Sequence, residues 1–319
     1  PIGRFLGGLS SLAAPELGGV AIRAAIERSG IAPESVDEVI MGNVVVAGEG
    51  QAPARQAAIS GGVPETVPAV TVNKVCGSGL KAVMLAAQAV RAGDAHVVVA
   101  GGMESMSNVP HYVRGLRSGV RLGDQTLQDG LVLDGLWCTF GNCHMGGHAE
   151  YTAAKAGISR TDADEFALRS HRLAIAAMDG CKFQKEVVPV SIETRRGTTV
   201  VDSDEGPRRD TSLEALGKLR PAFGADAPDD IEELVVTAGN APGLNDGAAA
   251  VVVASLEFAE AQGIPVRAEI SAYAAAGAAP QDLFFAPIAA VKKLMEKEHT
   301  DIGDYGLVEL NEAFAVQAL

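Results

Sequence analysis

Between Glu16 and Arg28 apolar side chains return at helical spacing, at Leu17, Val20, Ala21, Ala24 and Ala25, and Gly30 ends the run. That spacing predicts a helix, and the β-rich stretch that follows, Val36 to Val46, predicts a strand. The alternation repeats. A strand is expected over Val70 to Val75, a helix over Leu80 to Arg91 with Leu80, Val83, Met84, Ala87 and Val90 on one face, and a strand over His96 to Ala100. Strand, helix and strand joined by short turns read as parallel βαβ units, whose strands are covered on both faces and so stay apolar throughout.

From about Ser107 to Asp230 the texture changes: charge rises, polar turns multiply, and Asp162 to Met178 predicts a helix that alternates apolar with charged positions. This reads as an inserted, more exposed segment. The earlier pattern then resumes, with strands expected at Leu234 to Ala238, Ala248 to Ala254 and Arg267 to Ala272, and helices at Leu256 to Gln262 and Pro287 to Glu298. A weak internal echo links Ser35 to Asn43 with Gly303 to Asn311. Both stretches enter an apolar run through acidic residues and leave on Asn, which hints at two similar halves.

Composition narrows the class. In 319 residues, 47% hydrophobic and 21% charged, a large core can be buried, and 4% aromatics beside 37 glycines suit close-packed α/β layers better than a β sandwich. A formal net charge of -14 argues against nucleic acid and anionic membranes as partners. No stretch approaches the roughly 20 apolar residues of a membrane helix, and Pro1 to Phe5 show no signal pattern, so a cytoplasmic location is expected. Four cysteines are too few and too scattered for a disulfide framework in a chain of this length. The missing initial Met and the helical texture of Ala313 to Leu319 suggest a chain cut at both ends.

The sharpest chemical feature is Asn73-Lys74-Val75-Cys76-Gly77-Ser78-Gly79-Leu80, a cysteine between the end of a strand and the start of a helix. Glycines permit a tight turn and close approach of a substrate, and a helix N-terminus favours a thiolate. Cys76 is therefore the candidate nucleophile; a buried small hydrophobe is the bland alternative. A second cluster, Cys138, Cys143, His144 and His148, lacks the C-x-x-C pairs of structural zinc sites, and Gly146-Gly147 argues for a turn, so no metal is expected there. His144 and Met145 could instead line a pocket. Near the end, Asn311 and Glu312 sit where a strand meets a helix. An amide there could orient a water or a carbonyl, or simply cap the helix. The loop Gly239 to Gly247 could approach a ligand closely or be only a turn.

Taken in order, these segments resemble the thiolases. The matching stretches are Gly48 to Ala58, Cys76-Gly77-Ser78-Gly79, Ala100 to Ser107, His144-Met145-Gly146, Lys218 to Phe223, Asn245 to Ala250 and Asn311-Glu312-Ala313-Phe314. The resemblance implies an α/β, thiolase-like fold: two similar βαβ halves with mostly parallel five-stranded sheets, plus an inserted loop domain. It divides the chain into an N-terminal half (1–110 and 245–263), a loop domain that grips coenzyme A (111–244) and an incomplete C-terminal half (264–319). Cys76 matches the family's acylated cysteine and Asn311 the residue whose amide holds the water of an oxyanion hole. Leu136, His144, Met145, Ala222 and Phe223 match pocket residues beside the acyl chain and pantetheine. At Pro242 the family usually carries a Ser that reaches pantetheine, and Leu283-Phe284-Phe285-Ala286-Pro287 departs from a small-residue pattern.

The reaction so implied is acyl-CoA C-acyl transfer, condensing acetyl-CoA or cleaving a 3-ketoacyl-CoA, with coenzyme A and acyl-CoA as substrates and no permanently bound cofactor. A homodimer or homotetramer is expected. The family's activating histidine and second cysteine match nothing up to Leu319, so the 319-residue chain alone is expected to be inactive. A ketoacyl synthase-like condensing enzyme and a non-catalytic acyl-CoA or lipid-binding protein are the competing readings.

Overall fold

The computed structural model describes residues 1–195 and 197–319. Its strands are β1 (Gly3–Arg4), β2 (Glu38–Gly42), β3 (Ala69–Val72), β4 (Val97–Ser105), β5 (His111–Tyr112), β6 (Gln128–Asp129), β7 (Trp137–Cys138), β8 (Cys143–His144), β9 (Val190–Thr194), β10 (Gly197–Val201) and β11 (Asn245–Ala254). The helices are α1 (Ala14–Ser29), α2 (Pro53–Ser60), α3 (Ser78–Ala92), α4 (Met145–Ala156), α5 (Arg160–Asp179), α6 (Leu213–Gly217), α7 (Leu256–Ala261), α8 (Ala286–Glu298) and α9 (Ala315–Ala318). Contacts divide them into two compact units. The first holds Pro1–Gly135, Gln184–Gly206 and Leu244–Glu269, the second Leu136–Phe183, Pro207–Gly243 and Ile270–Leu319.

In the first unit a five-stranded sheet runs in the order β1-β11-β4-β2-β3. β2 pairs in parallel with β3 and β4, as the βαβ reading requires, while β11 lies antiparallel between β1 and β4. Strand alternation sends Val39, Met41, Val97 and Val99 into one core cluster with Ile22 and Ala57, and Ile40, Val98 and Ala100 into a second with Ala82 and Ala86. Helices α1 and α2 thus cover one face and α3 the other, which is why the strands read as continuous apolar runs. Each fully buried valine of β4 contributes on the order of 1.5–3 kcal/mol. Asn245 and Asp246, read from sequence as loop, open β11 instead. Asp246 is fully buried there and accepts hydrogen bonds from the Ser107 backbone N–H at 2.9 Å and its hydroxyl at 2.6 Å.

The second unit is mainly helical. Its core gathers Ala149, Ala153, Ala163, Val235, Val236, Phe284, Phe314 and Val316. α5 starts on a reciprocal cap, Ser159 Oγ accepting from the Asp162 N–H at 3.2 Å while the Asp162 carboxylate accepts from the Ser159 N–H at 3.0 Å. Three strand expectations fail. Leu234 to Ala238 forms only a single bridge, Thr237 with Pro221, because the N–H groups of Val235 and Val236 bond to the Glu150 carboxylate at 2.7 and 2.9 Å. No strand forms over 267–272 or 307–311, and Leu307 and Val308 stand 88% and 61% exposed, without the burial that makes a strand of an apolar run. Gly146 and Gly147, taken as a turn, lie in the first turn of α4.

Candidate functional site

Cys76 sits two residues before α3, on a turn that the surrounding residues hold from several sides. Asn73 Oδ1 accepts from the Val75 N–H at 2.9 Å, and its amide donates to the Val44 carbonyl at 3.1 Å. Ser78 Oγ accepts from the Lys74 N–H at 2.8 Å and donates to the Val75 carbonyl at 2.6 Å. Val75 is thereby kept at φ 48°, a left-handed conformation that costs a β-branched residue roughly 1–3 kcal/mol and marks a turn shaped for a purpose. Gly42 lets this turn approach β2, since a methyl there would fall 2.5 Å from the Ser78 backbone. Cys76 itself is exposed, and no side chain caps α3.

The thiol does not titrate as its position before a helix predicts. Packing around the sulfur pushes its pKa up, its own backbone N–H pulls it back, and the Glu104 carboxylate adds to the rise. Glu104, at the end of β4, accepts from the N–H groups of Val44 at 2.8 Å and Val45 at 3.2 Å and from the Asn43 amide at 3.2 Å. Beside it, Glu49 has its pKa pushed up to about 7 by burial first and by the Glu104 charge second, with Asn43 opposing. The buried Glu49 Oε2 has no hydrogen-bond partner among the described residues.

The remaining predicted residues belong to the second unit. His144 is the N-cap of α4: its Nδ1 accepts from the Gly146 N–H at 3.0 Å, and its backbone N–H donates to Asp226 at 3.1 Å. Its ring stacks on Phe223 at 4.8 Å, Phe223 meets Phe314 edge-on at 6.3 Å, and Phe314 meets Phe284 at 5.4 Å. Glycine at 146 is required, because a Cβ would lie 2.0 Å from Phe223 Cγ. Burial lowers the His144 pKa and Asp226 partly restores it, so the imidazole is held towards its neutral form. The aromatic row therefore presents an apolar wall with one polar ring at its end.

Met145 packs against the same core, Leu136 is half-buried, and Ala222 and Pro242 are exposed. Asn311 is exposed and caps nothing, since α9 begins at Ala315 with Phe314 as its N-cap; its neighbour Glu312 accepts from the Ser170 hydroxyl at 2.6 Å. His144, Met145 and Phe223 are thus brought together, whereas Cys76 lies in the first unit with Glu49 and Glu104. In the 239–247 loop, Asn240 is a buried strut, donating to Asp164 at 2.9 Å and accepting from the Thr237 N–H at 2.8 Å. Sequence reasoning missed the roles of Glu49, Glu104 and Glu150. Their signal was available as carboxylates inside otherwise apolar or glycine-rich stretches.

Among the described residues, no group of three or more His, Cys, Asp or Glu is placed to hold a metal, and no helix is long and apolar enough to cross a membrane. The family model described as the thiolase N-terminal domain matches residues 1–257, and that of the thiolase C-terminal domain matches 264–319. The acetyl-CoA acetyltransferase of Cupriavidus necator is 50% identical over 319 residues, and that of Pseudomonas aeruginosa 48%, each match covering 100% of this chain and 79% of the relative. The crystal structure of the Bacillus anthracis acetyl-CoA acetyltransferase superposes with a TM-score of 0.94 at 38% identity, over 100% of this chain and 79% of that one. With both family models matched in order and relatives at this identity, the chain belongs to the thiolase family.

Proposed function

We propose that the protein is an acyl-CoA C-acyltransferase that works through an acyl-cysteine at Cys76. The Cys76 thiolate attacks the thioester carbonyl of acetyl-CoA and expels the coenzyme A thiolate. A second acetyl-CoA loses a methyl proton, which overall leaves with the released coenzyme A as its thiol, and the resulting enolate attacks the acyl-cysteine, forming the carbon–carbon bond and returning the Cys76 thiolate; thiolysis of a 3-ketoacyl-CoA is the reverse. Asn311 holds the water that stabilises the enolate oxygen. Leu136, His144, Met145, Ala222 and Phe223 line the acyl and pantetheine path, and Pro242 takes a place beside it without a hydroxyl to offer.

The observation that carries this reading is an exposed cysteine beside a strained Val75, in a chain that matches acetyl-CoA acetyltransferases along its whole length. Coenzyme A esters are substrates here, with no resident cofactor or metal. Functionally, 1–110 with 245–263 carries the nucleophile, 111–244 grips coenzyme A, and 264–319 belongs to the second half; the enzyme works in the cytoplasm as a homo-oligomer. Peptide mass spectrometry after exposure of the full-length protein to acetyl-CoA tests the central claim. Acetyl on Cys76 is expected; acetyl on Cys138, Cys143 or Cys181 with Cys76 unmodified defeats the assignment.

A further inference from the structure

Two cysteines outside the acyl-transfer chemistry face each other. β7 and β8 form an antiparallel hairpin in which Cys138 and Cys143 are direct partners, closed by the four residues from Thr139 to Asn142. Direct partners in an antiparallel pair have Cα atoms about 4.5–5.5 Å apart and side chains on the same face, inside the roughly 4.4–6.8 Å window of disulfides. Both sulfurs converge on Gly141: Cys138 Sγ accepts from its N–H at 3.3 Å, and Cys143 Sγ lies 3.1 Å from where its Cβ would be. His148 Nε2 lies 3.0 Å from that same point. The residue is only 5% exposed, and this nitrogen has no hydrogen-bond partner among the described residues. His144 is not the base, because its Nδ1 already accepts from the Gly146 N–H.

Access comes from a cavity of about 930 Å³, lined by both Cys143 and His148. Its walls also carry Asp226, Asp229, Asp230, Glu232 and Glu233, against Lys155, which is itself paired with Asp282 at 2.5 Å. A molecule that reaches Cys143 therefore crosses a negative field, which favours cations over anions.

We propose that Cys143, Cys138 and His148 form a dithiol site that a small cationic disulfide of the aminothiol class oxidises to a Cys138–Cys143 bond. His148 Nε2 takes the proton of Cys143. The thiolate attacks one sulfur of the small disulfide, making a mixed disulfide and releasing one aminothiolate. Cys138 then attacks the Cys143 sulfur and releases the second. Two cysteine thiols lose two electrons and two protons, and one disulfide becomes two aminothiols. Burial, Cys138 and Asp226 all hold the Cys143 thiol protonated, and burial keeps the His148 imidazole neutral, so the ring is free to accept the proton although the transfer runs uphill.

Treatment of the chain with cystamine, alkylation of remaining thiols and peptide mass spectrometry test the site. The peptide holding both cysteines is expected to lose two hydrogens and resist alkylation, whereas exposed Cys181 stops at the mixed disulfide. Cystamine should act roughly tenfold or more faster than the anionic oxidised glutathione at low salt, and the gap should close at high salt. Cys138→Ser should leave Cys143 as a lasting mixed disulfide, and His148→Gln should slow its formation by about tenfold or more. Several results overturn the proposal: a persistent mixed disulfide on Cys143 in the unaltered chain, alkylation of both thiols after Cys181 has reacted fully, or equal rates for the two disulfides at low salt. An unchanged rate in a folded His148→Gln chain removes the base and with it the site.

Discussion

Cys76 and Cys143 occupy the same place in the chain's grammar, two residues before a helix, and differ in what surrounds them. Both thiols have their pKa raised, chiefly by desolvation from the atoms packed around the sulfur, and both feel a carboxylate, Glu104 in one case and Asp226 in the other. Position before a helix therefore does not by itself make a thiolate. What separates them is the cap and the backbone. At α3 the N-cap is Gly77, which offers no side chain to the first-turn N–H groups; at α4 the N-cap His144 bonds the Gly146 N–H with its own ring. Cys76 is exposed on a turn with Val75 at positive φ, while Cys143 is half-buried in a regular hairpin facing a second thiol.

Exchange of each thiol gives the largest expected contrast. In the full-length protein, Cys76→Ala should lower acetoacetyl-CoA thiolysis by about 10⁴-fold or more, the scale seen when an enzyme nucleophile is removed, whereas Cys143→Ala should leave the rate within a few-fold. Steady-state assays of both variants measure it, and equal losses would erase the distinction drawn between the two turns. Next in size is Asn311→Ala, expected to cut carbon–carbon bond formation by about 100-fold while acetylation of Cys76 survives. Loss of acetylation together with condensation would instead tie Asn311 to the first half-reaction.

The Cys76 turn was legible because glycines flanking a cysteine between an apolar run and a helical period leave few other conformations. The same local logic found β2, β3, β4, α1 and α3, whose boundaries depend on residues near in sequence. It failed where the deciding partner is distant. Leu234 to Ala238 has the apolar run of a strand, yet its backbone is claimed by Glu150, a residue 85 positions away from Val235. Gly146-Gly147 reads as a turn until Phe223 and Asp226 are seen to take the space of the two missing side chains. Glu49 and Glu104 each stand out as an acid in a glycine-rich stretch, but that they act as a pair depends on the fold, which brings them together.

Those close approaches yield a smaller test of the two helix starts. Gly146→Ala drives a methyl into the Phe223 ring and should destabilise the second unit by about 1–3 kcal/mol. At Gly77 a Cβ meets nothing nearer than the Lys74 carbonyl at 3.4 Å, and φ is −87°, so Gly77→Ala should cost less than about 1 kcal/mol. Urea unfolding of the two variants decides whether the caps differ in packing as described, and a larger loss at Gly77 would reverse the comparison.

The smallest expected effect turns on the two carboxyls near Cys76. Glu49 ionises near pH 7 in the fold against an ordinary value of 4.5, because burial and the charge of Glu104 disfavour its carboxylate. Below pH 4.5 the group is protonated in both folded and unfolded chains. As pH rises from 4.5 to 7 the unfolded chain loses this proton first, so the folded state is progressively destabilised, and above pH 7 the loss is complete. Glu49→Gln keeps the shape and removes the ionisation. The variant should match the parent near pH 4 and exceed its stability at pH 8 by on the order of 1–2 kcal/mol, after discounting for solvent that still screens a partly exposed carboxyl. Asp226, beside Cys143, instead accepts from the His144 backbone N–H, so Asp226→Asn weakens a charge-assisted hydrogen bond and should lower stability rather than raise it. Thermal unfolding of both variants across that range measures the difference. A Glu49→Gln gain that is constant with pH would mean that packing, and not the shared charge behind Cys76, sets this carboxyl apart.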